Sequence, residues 1–253
     1  MTYSIQPVEV GRRYADSSVF TYLTDPGKEI QIAYRVWVLR GPAGVILVDT
    51  GPPLAEAARR GITDVRDIDA ALREVGVEPS DVRTIVLTHL HWDHASNAEH
   101  FPNATFLAQE GEIRFFCSCE REHPSLNRFF SHQEYLRNLI DIGRIQPVHG
   151  DAQVAEGVSV IRVGGHTPGS QMVLVDTAEG LTVITGDAIP LQRNYIENIP
   201  SGIITDAIEA IAALQRVRDL DPESIYTGHD LQARLQPRQK NPTARTTPPH
   251  LRR

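Results

Sequence analysis

The sequence predicts an α/β fold, an αββα sandwich in which two β-sheets pack face to face and helices cover the outer surfaces. Three observations lead there. Apolar, β-branched runs fall into two groups, segments of helical period follow each group, and the 253-residue chain is 41% apolar, enough to bury a large core.

The first group opens at 34–39 and 45–48, apolar runs separated by Gly41-Pro42-Ala43-Gly44, which reads as a hairpin. Asp49-Thr50-Gly51-Pro52-Pro53 ends its second strand abruptly. Asp67 then caps a helix with Ile68, Ala71, Leu72 and Val75 on one face and Gly76 closing it. Residues 84–88, Thr-Ile-Val-Leu-Thr, read as a buried strand running straight into a histidine cluster. From 111 to 140 the period is helical: Leu126, Phe129, Phe130, Leu136, Leu139 and Ile140 share a face, with Ser125 as cap. Phe115, Phe116, Phe129 and Phe130 in this stretch either line an apolar pocket or cover the core. The second group has strands at 158–163, 171–175 and 181–185, a helix over 206–220 and a last short strand at 225–227. Residues 1–235 are read as one domain and 236–253 as a basic, proline-rich tail.

Composition narrows the function. A net charge of −7 argues against general nucleic-acid binding and leaves a small molecule as the expected partner of a monomer or homodimer. No stretch approaches the roughly 18 apolar residues of a membrane span. The polar amino terminus lacks the apolar core of a signal peptide, so a cytoplasmic location is expected. Cys117 and Cys119 give no disulfide framework and read as two reduced thiols on a buried or half-buried segment.

His89-Leu90-His91-Trp92-Asp93-His94 packs four ligand-type side chains into six residues directly after a strand. Imidazole and carboxylate suit zinc, and also manganese, iron, cobalt or nickel, whereas a structural zinc site draws on cysteines. The competing reading is a solvated histidine-rich loop, and three further residues argue against it. His166, Asp187 and His229 each follow an expected strand and a glycine, and with the cluster they make seven ligands, enough for two divalent ions. Singly they would be capping, core or turn residues. His100, His123, His132, His149 and His250 lack this context and are read as surface or locally bonded side chains.

This pattern, His89-x-His91-x-Asp93-His94 followed by His166, Asp187 and His229, resembles the metallo-β-lactamase fold superfamily over about residues 34–229. The resemblance implies that His89, His91 and His166 bind a first metal, that Asp93, His94 and His229 bind a second, and that Asp187 bridges them. It also implies that Asp49 of Asp49-Thr50-Gly51 supports the ligand turn from behind. The branch most similar to this chain is that of the quorum-quenching N-acyl homoserine lactonases, with an aromatic inside the turn, Gly-Asp-Ala at the bridging aspartate, and a similar 200–206 segment. The flavodiiron branch has glutamate where this chain has His91, and the best-known β-lactamases use a cysteine in the second site.

Two departures bear on the substrate. Ser96-Asn97 stands where the lactonases have glycine, and Pro190 stands where they have a tyrosine that helps hold the substrate carbonyl. Tyr195 either takes over that role or packs. The implied reaction is attack of a metal-bridging hydroxide on a lactone or related ester, with Asp93 or Asp187 passing the proton to the leaving oxygen. Alternatives on the same fold are a mononuclear iron sulfur dioxygenase, a thioesterase and a β-lactam hydrolase.

Overall fold

The computed structural model of the chain describes residues 1–131 and 133–237. One six-stranded sheet runs in sequence order through β1 (Ser4–Asp16), β2 (Glu29–Gly41), β3 (Gly44–Val48), β4 (Thr84–Val86), β5 (Thr105–Gln109) and β6 (Ile145–Val148). Its first three strands are an antiparallel meander and the rest are parallel. The second six-stranded sheet holds β7 (Ala152–Ala155), β8 (Val158–Arg162), β9 (Gln171–Thr177), β10 (Gly180–Ile184), β11 (Ser224–Tyr226) and β12 (Arg234–Leu235), again neighbours in sequence order. Helices α1 (Leu54–Arg59), α2 (Ile68–Glu74), α3 (Trp92–Ala95), α4 (Glu110–Phe116), α5 (Pro124–Asn127) and α6 (Gln133–Asp141) fill the crossovers of the first sheet. Helices α7 (Gln192–Glu197) and α8 (Ala207–Leu220) fill the crossover from β10 to β11.

Alternation along the strands sorts the core into layers. Trp37 and Leu39 of β2 join Ile46, Val86, Val160, Val173 and Ile184 between the sheets. Ile32, Tyr34, Val36 and Val38 point the other way and pack with Ala71 and Leu72 of α2. A strand covered on both faces has no polar side, which is why 32–39 reads as a nearly unbroken apolar run. Beyond the second sheet, Met172, Val183 and Ile225 meet Ala213, Leu214 and Val217 of α8. The order helix, sheet, sheet, helix is the αββα sandwich expected.

The helix cap read at Asp67 forms, and Asp206, where the later helix was expected to begin, caps it as well. The Asp67 carboxylate accepts from Ala70 N at 3.0 Å, and that of Asp206 from Ile208 N at 2.8 Å and Glu209 N at 2.9 Å. The helical stretch 111–140 is broken into α4, α5 and α6. Its cap is His123 rather than Ser125, because Pro124 sets the first helical residue and the His123 ring accepts from Ser125 N at 3.3 Å. Strands β1, β5, β6, β7 and β12 escape the sequence reading: β1, β6, β7 and β12 are sheet edges, and β5 is a five-residue run bounded by Thr105 and Gln109 with little β-branched character. Cys117 and Cys119 are exposed, not buried, because they follow the outer end of α4. Residues 238–253 of the basic tail, and with them His250, lie outside the described residues, as does His132. Among the described residues no helix is long and apolar enough to cross a membrane.

Candidate metal centre

Seven side chains converge where strands of both sheets end. His89, His91, Asp93 and His94 follow β4, His166 follows β8, Asp187 follows β10 and His229 follows β11. All seven are at least nine-tenths buried. In one group, Nε2 of His166 lies 3.2 Å from Nε2 of His89 and 3.0 Å from Nδ1 of His91. In the other, Nε2 of His94 and Nε2 of His229 each lie 3.6 Å from Oδ2 of Asp93. Asp187 stands between the groups. Its Oδ1 is 3.4 Å from His94 Nε2 and 2.9 Å from His229 Nε2, and its Oδ2 is 3.6 Å from His166 Nε2. Gly228 permits this approach, because a Cβ there would come within 2.7 Å of Asp187 Oδ1.

The arrangement fits metal ions on two physical grounds. His166 gives its Nδ1 proton to Ile203 O at 2.7 Å, so its Nε2 presents a lone pair to the other two imidazoles, an arrangement that a shared cation relieves. Nε2 of His94 and Oδ1 of Asp187 are also buried without an aligned hydrogen bond, despite near neighbours. Burial pushes the His89 and His91 imidazoles well below, and that of His166 below, their ordinary pKa, so the three stay neutral and able to ligate. At His94 burial opposes charge, but Asp93, Asp187 and Asp49 outweigh it and hold the ring well above its usual value. His229 is raised for the same reason, Asp187 being the chief opposing charge. For Asp187 burial is again overcome, here by His229 and His94, and its carboxyl stays ionised.

The surroundings fix each ring. Asp49 accepts from His94 Nδ1 at 2.8 Å, and also from Thr88 N at 2.7 Å and Thr88 Oγ1 at 2.9 Å. His229 Nδ1 donates to Ala33 O of β2 at 2.9 Å. Asn97, one of the two residues in place of glycine, is buried and bonds Thr50 O at 3.1 Å and Pro52 O at 2.9 Å, tying α3 to the end of β3. Pro190 contributes its carbonyl, which accepts from His229 N at 2.7 Å.

Sequence reasoning missed three residues here. Glu112 of α4 is fully buried and accepts from Leu90 N at 3.0 Å, Thr167 Oγ1 at 2.6 Å and Gly169 N at 3.1 Å. It thereby clips the His89–His94 turn to the His166 turn. Tyr34 and Arg13 line the cavity of about 350 Å³ in front of the cluster, which Asp93, Asp187 and His229 also line. Burial, then Asp93, pushes the Tyr34 phenol up, so it stays protonated as a donor. No local signal marks any of the three, because each acts through distant partners.

Tyr195 is not brought to the cluster. It packs with the outer core of the second sheet under α8, with the Arg218 guanidinium 4.6 Å from its ring centroid. It is not among the residues lining the cavity in front of the cluster, so of its two readings, carbonyl donor or packing residue, its contacts fit packing. Phe115, Phe129 and Phe130 do line a second cavity, of about 270 Å³, that reaches His91 and His166, whereas Phe116 is wholly core. His100 and His149 bond locally, to Asp69 at 2.8 Å and Glu110 at 3.3 Å.

Two sheets presenting buried histidines and aspartates from their strand ends, in two groups sharing one carboxylate, define a metal-binding α/β sandwich. The chain belongs to the metallo-beta-lactamase superfamily, whose family model matches residues 33–229. It is 27% identical over 242 residues to an N-acyl homoserine lactonase of Bacillus thuringiensis, covering 89% of this chain and 92% of that protein. To the N-acyl homoserine lactonase AttM of Azorhizobium caulinodans it is 24% identical over 232 residues, covering 81% of this chain and 84% of that one. Among solved structures, a quorum-quenching N-acyl homoserine lactone lactonase superposes with a TM-score of 0.78 at 27% identity, over 91% of this chain and 94% of that chain. An N-acyl homoserine lactone hydrolase with its product N-hexanoyl-L-homoserine at the catalytic metal center matches at 0.76 and 26% identity, over 91% and 95% of the two chains.

Proposed function

We propose that this chain is a dinuclear metal-dependent hydrolase that opens a lactone or closely related ester. The observation that carries the reading is Asp187, which turns one oxygen toward His166 and the other toward His94 and His229. On that geometry His89, His91 and His166 would hold one ion and Asp93, His94 and His229 the other, with Asp187 placed to serve both. Divalent ions bound there, zinc best matching this donor set, supply Lewis acidity and a water acidified to the neutral range. Asp93 and Asp187, both on the cavity wall, are the carboxylates placed to move the proton to the leaving alkoxide oxygen. Tyr34, protonated and facing the same cavity, orients the substrate carbonyl by donating its phenolic proton. The second cavity, walled by Phe115, Leu126 and Phe130, excludes water and takes an apolar acyl group.

The lactonase relatives, alike over most of both chains, support a lactone as substrate. Exposed free thiols at Cys117 and Cys119 suit the reducing cytoplasm. The test is metal analysis together with turnover of N-acyl homoserine lactones of graded chain length beside a thioester and a β-lactam. About two ions per chain and fastest opening of the lactones are expected. One iron per chain, or preference for the thioester or β-lactam, would overturn the reading.

A further inference from the structure

The cavity in front of the cluster carries more positive charge than a neutral lactone needs. Arg13 of β1, Arg60 after α1 and Arg128 after α5 line it, while its carboxylates, Asp93 and Asp187, belong to the ligand cluster. Arg60 is anchored: it pairs with Glu56, donates to Arg128 O at 2.8 Å and lies 4.3 Å from the Trp92 ring centroid. Glu56 is shared with Arg59, so it does not neutralise both. Among the described residues Arg13 and Arg128 have no carboxylate partner, and Nε of Arg13 is buried with no hydrogen bond at all. A buried guanidinium N–H without an acceptor is costly unless an acceptor arrives with the ligand.

The site therefore has two lobes that meet at His91, Phe129, Gly202 and Ile203. One lobe is apolar and the other is rimmed by guanidinium groups. We infer that the substrate is a lactone or ester bearing an oxyanion, carboxylate or phosphate, which Arg13 and Arg128 grip with Arg60 while the apolar part fills the phenylalanine lobe. Planar guanidinium forks match both oxyanions, and the low dielectric of a half-enclosed cavity strengthens the contact. Arg13, Arg60 and Arg128 are thus specificity-determining residues. The inference rests on the lactonase reading for its reaction, though not for its binding.

The test compares γ-lactone rings carrying a carboxylate, a phosphate or an uncharged primary amide at the same position, on the metal-loaded full chain. For the wild type, kcat/KM should favour an anionic ring over the amide by about tenfold or more at low salt, and the ratio should shrink as salt rises. Arg13→Gln and, independently, the exposed-loop variant Arg128→Gln should bring that ratio down several-fold with metal content unchanged. Which anion gains most tells carboxylate from phosphate. Calorimetry with the ring-opened acids reads binding whether or not any ring is hydrolysed. Tighter binding of the acids that carry the additional carboxylate or phosphate than of the amide-bearing acid, a difference lost in both variants, upholds the inference even if no lactone turns over, an outcome that sinks only the lactonase reading. A wild-type ratio near one in both assays, or ratios that the arginine variants leave untouched, overturns the inference.

Discussion

Replacing Glu112 by alanine tests whether the two ligand turns depend on one buried carboxylate. Three donors lose their acceptor: Leu90 N, Thr167 Oγ1 and Gly169 N. Thr167 keeps a partner in Ser170 Oγ at 2.7 Å, so two backbone N–H groups are left orphaned. Each orphan costs about 1–3 kcal/mol, and relief of the buried charge gives part of this back, leaving a net loss of about 3 kcal/mol. For a chain of this size the loss lowers Tm by roughly 6–12 °C, measurable by calorimetry on the metal-free protein. The same change frees the turns carrying His89, His91 and His166, so metal affinity should fall about 10–100-fold in a chelator competition. Glu112→Gln, which keeps one acceptor, should lie between. A stability change below about 1 kcal/mol with wild-type metal affinity would refute the reasoning.

Other consequences follow from the same geometry. Asp187→Asn should cost at least ~100-fold in turnover together with metal, and a variant that keeps normal turnover and both ions would remove Asp187 from the bridging role. Tyr195→Phe keeps the ring over which Arg218 lies, so turnover and Tm should match the wild type; a loss in kcat would restore Tyr195 as a carbonyl donor. Proton release should distinguish the two metal groups. His94 and His229 hold protons above their ordinary value of 6.5, whereas the His89, His91 and His166 trio does not. Filling the Asp93–His94–His229 group therefore expels protons and strengthens as pH rises, and an indicator titration in dilute buffer showing equal release from both groups would contradict this. In the metal-free protein the trio's lowered pKa values make stability fall as pH drops below about 6.5, since the unfolded imidazoles then bind protons that the folded ones refuse. The raised pair works in the opposite sense, giving stability below 6.5 that is lost as pH rises through their folded values.

The identity of the ligand-type residues and their strand-end positions were legible in the chain itself. A β-branched run, a glycine and a histidine or aspartate are neighbours in sequence, and local chain geometry is enough to put the polar side chain at the end of a strand. The layer order was legible for a similar reason, because burial on both faces leaves its mark directly on a strand's composition. What the sequence left open depends on contacts between distant segments. His229 is fixed by Ala33, 196 positions away, and Glu112 joins Leu90 to Thr167 across separations of 22 and 55. Tyr195 could be placed in the cavity or the core only once α7 had a rotation, which is set by packing under α8. Arg13, in a strand that the sequence pattern did not reveal, gained its meaning only when β1 brought it beside Arg60 and Arg128 at the rim of the same cavity. Short-range patterns specify which chemistry a segment can carry, but which groups meet is decided by the packing free energy of the whole sandwich, and no window of sequence contains that sum.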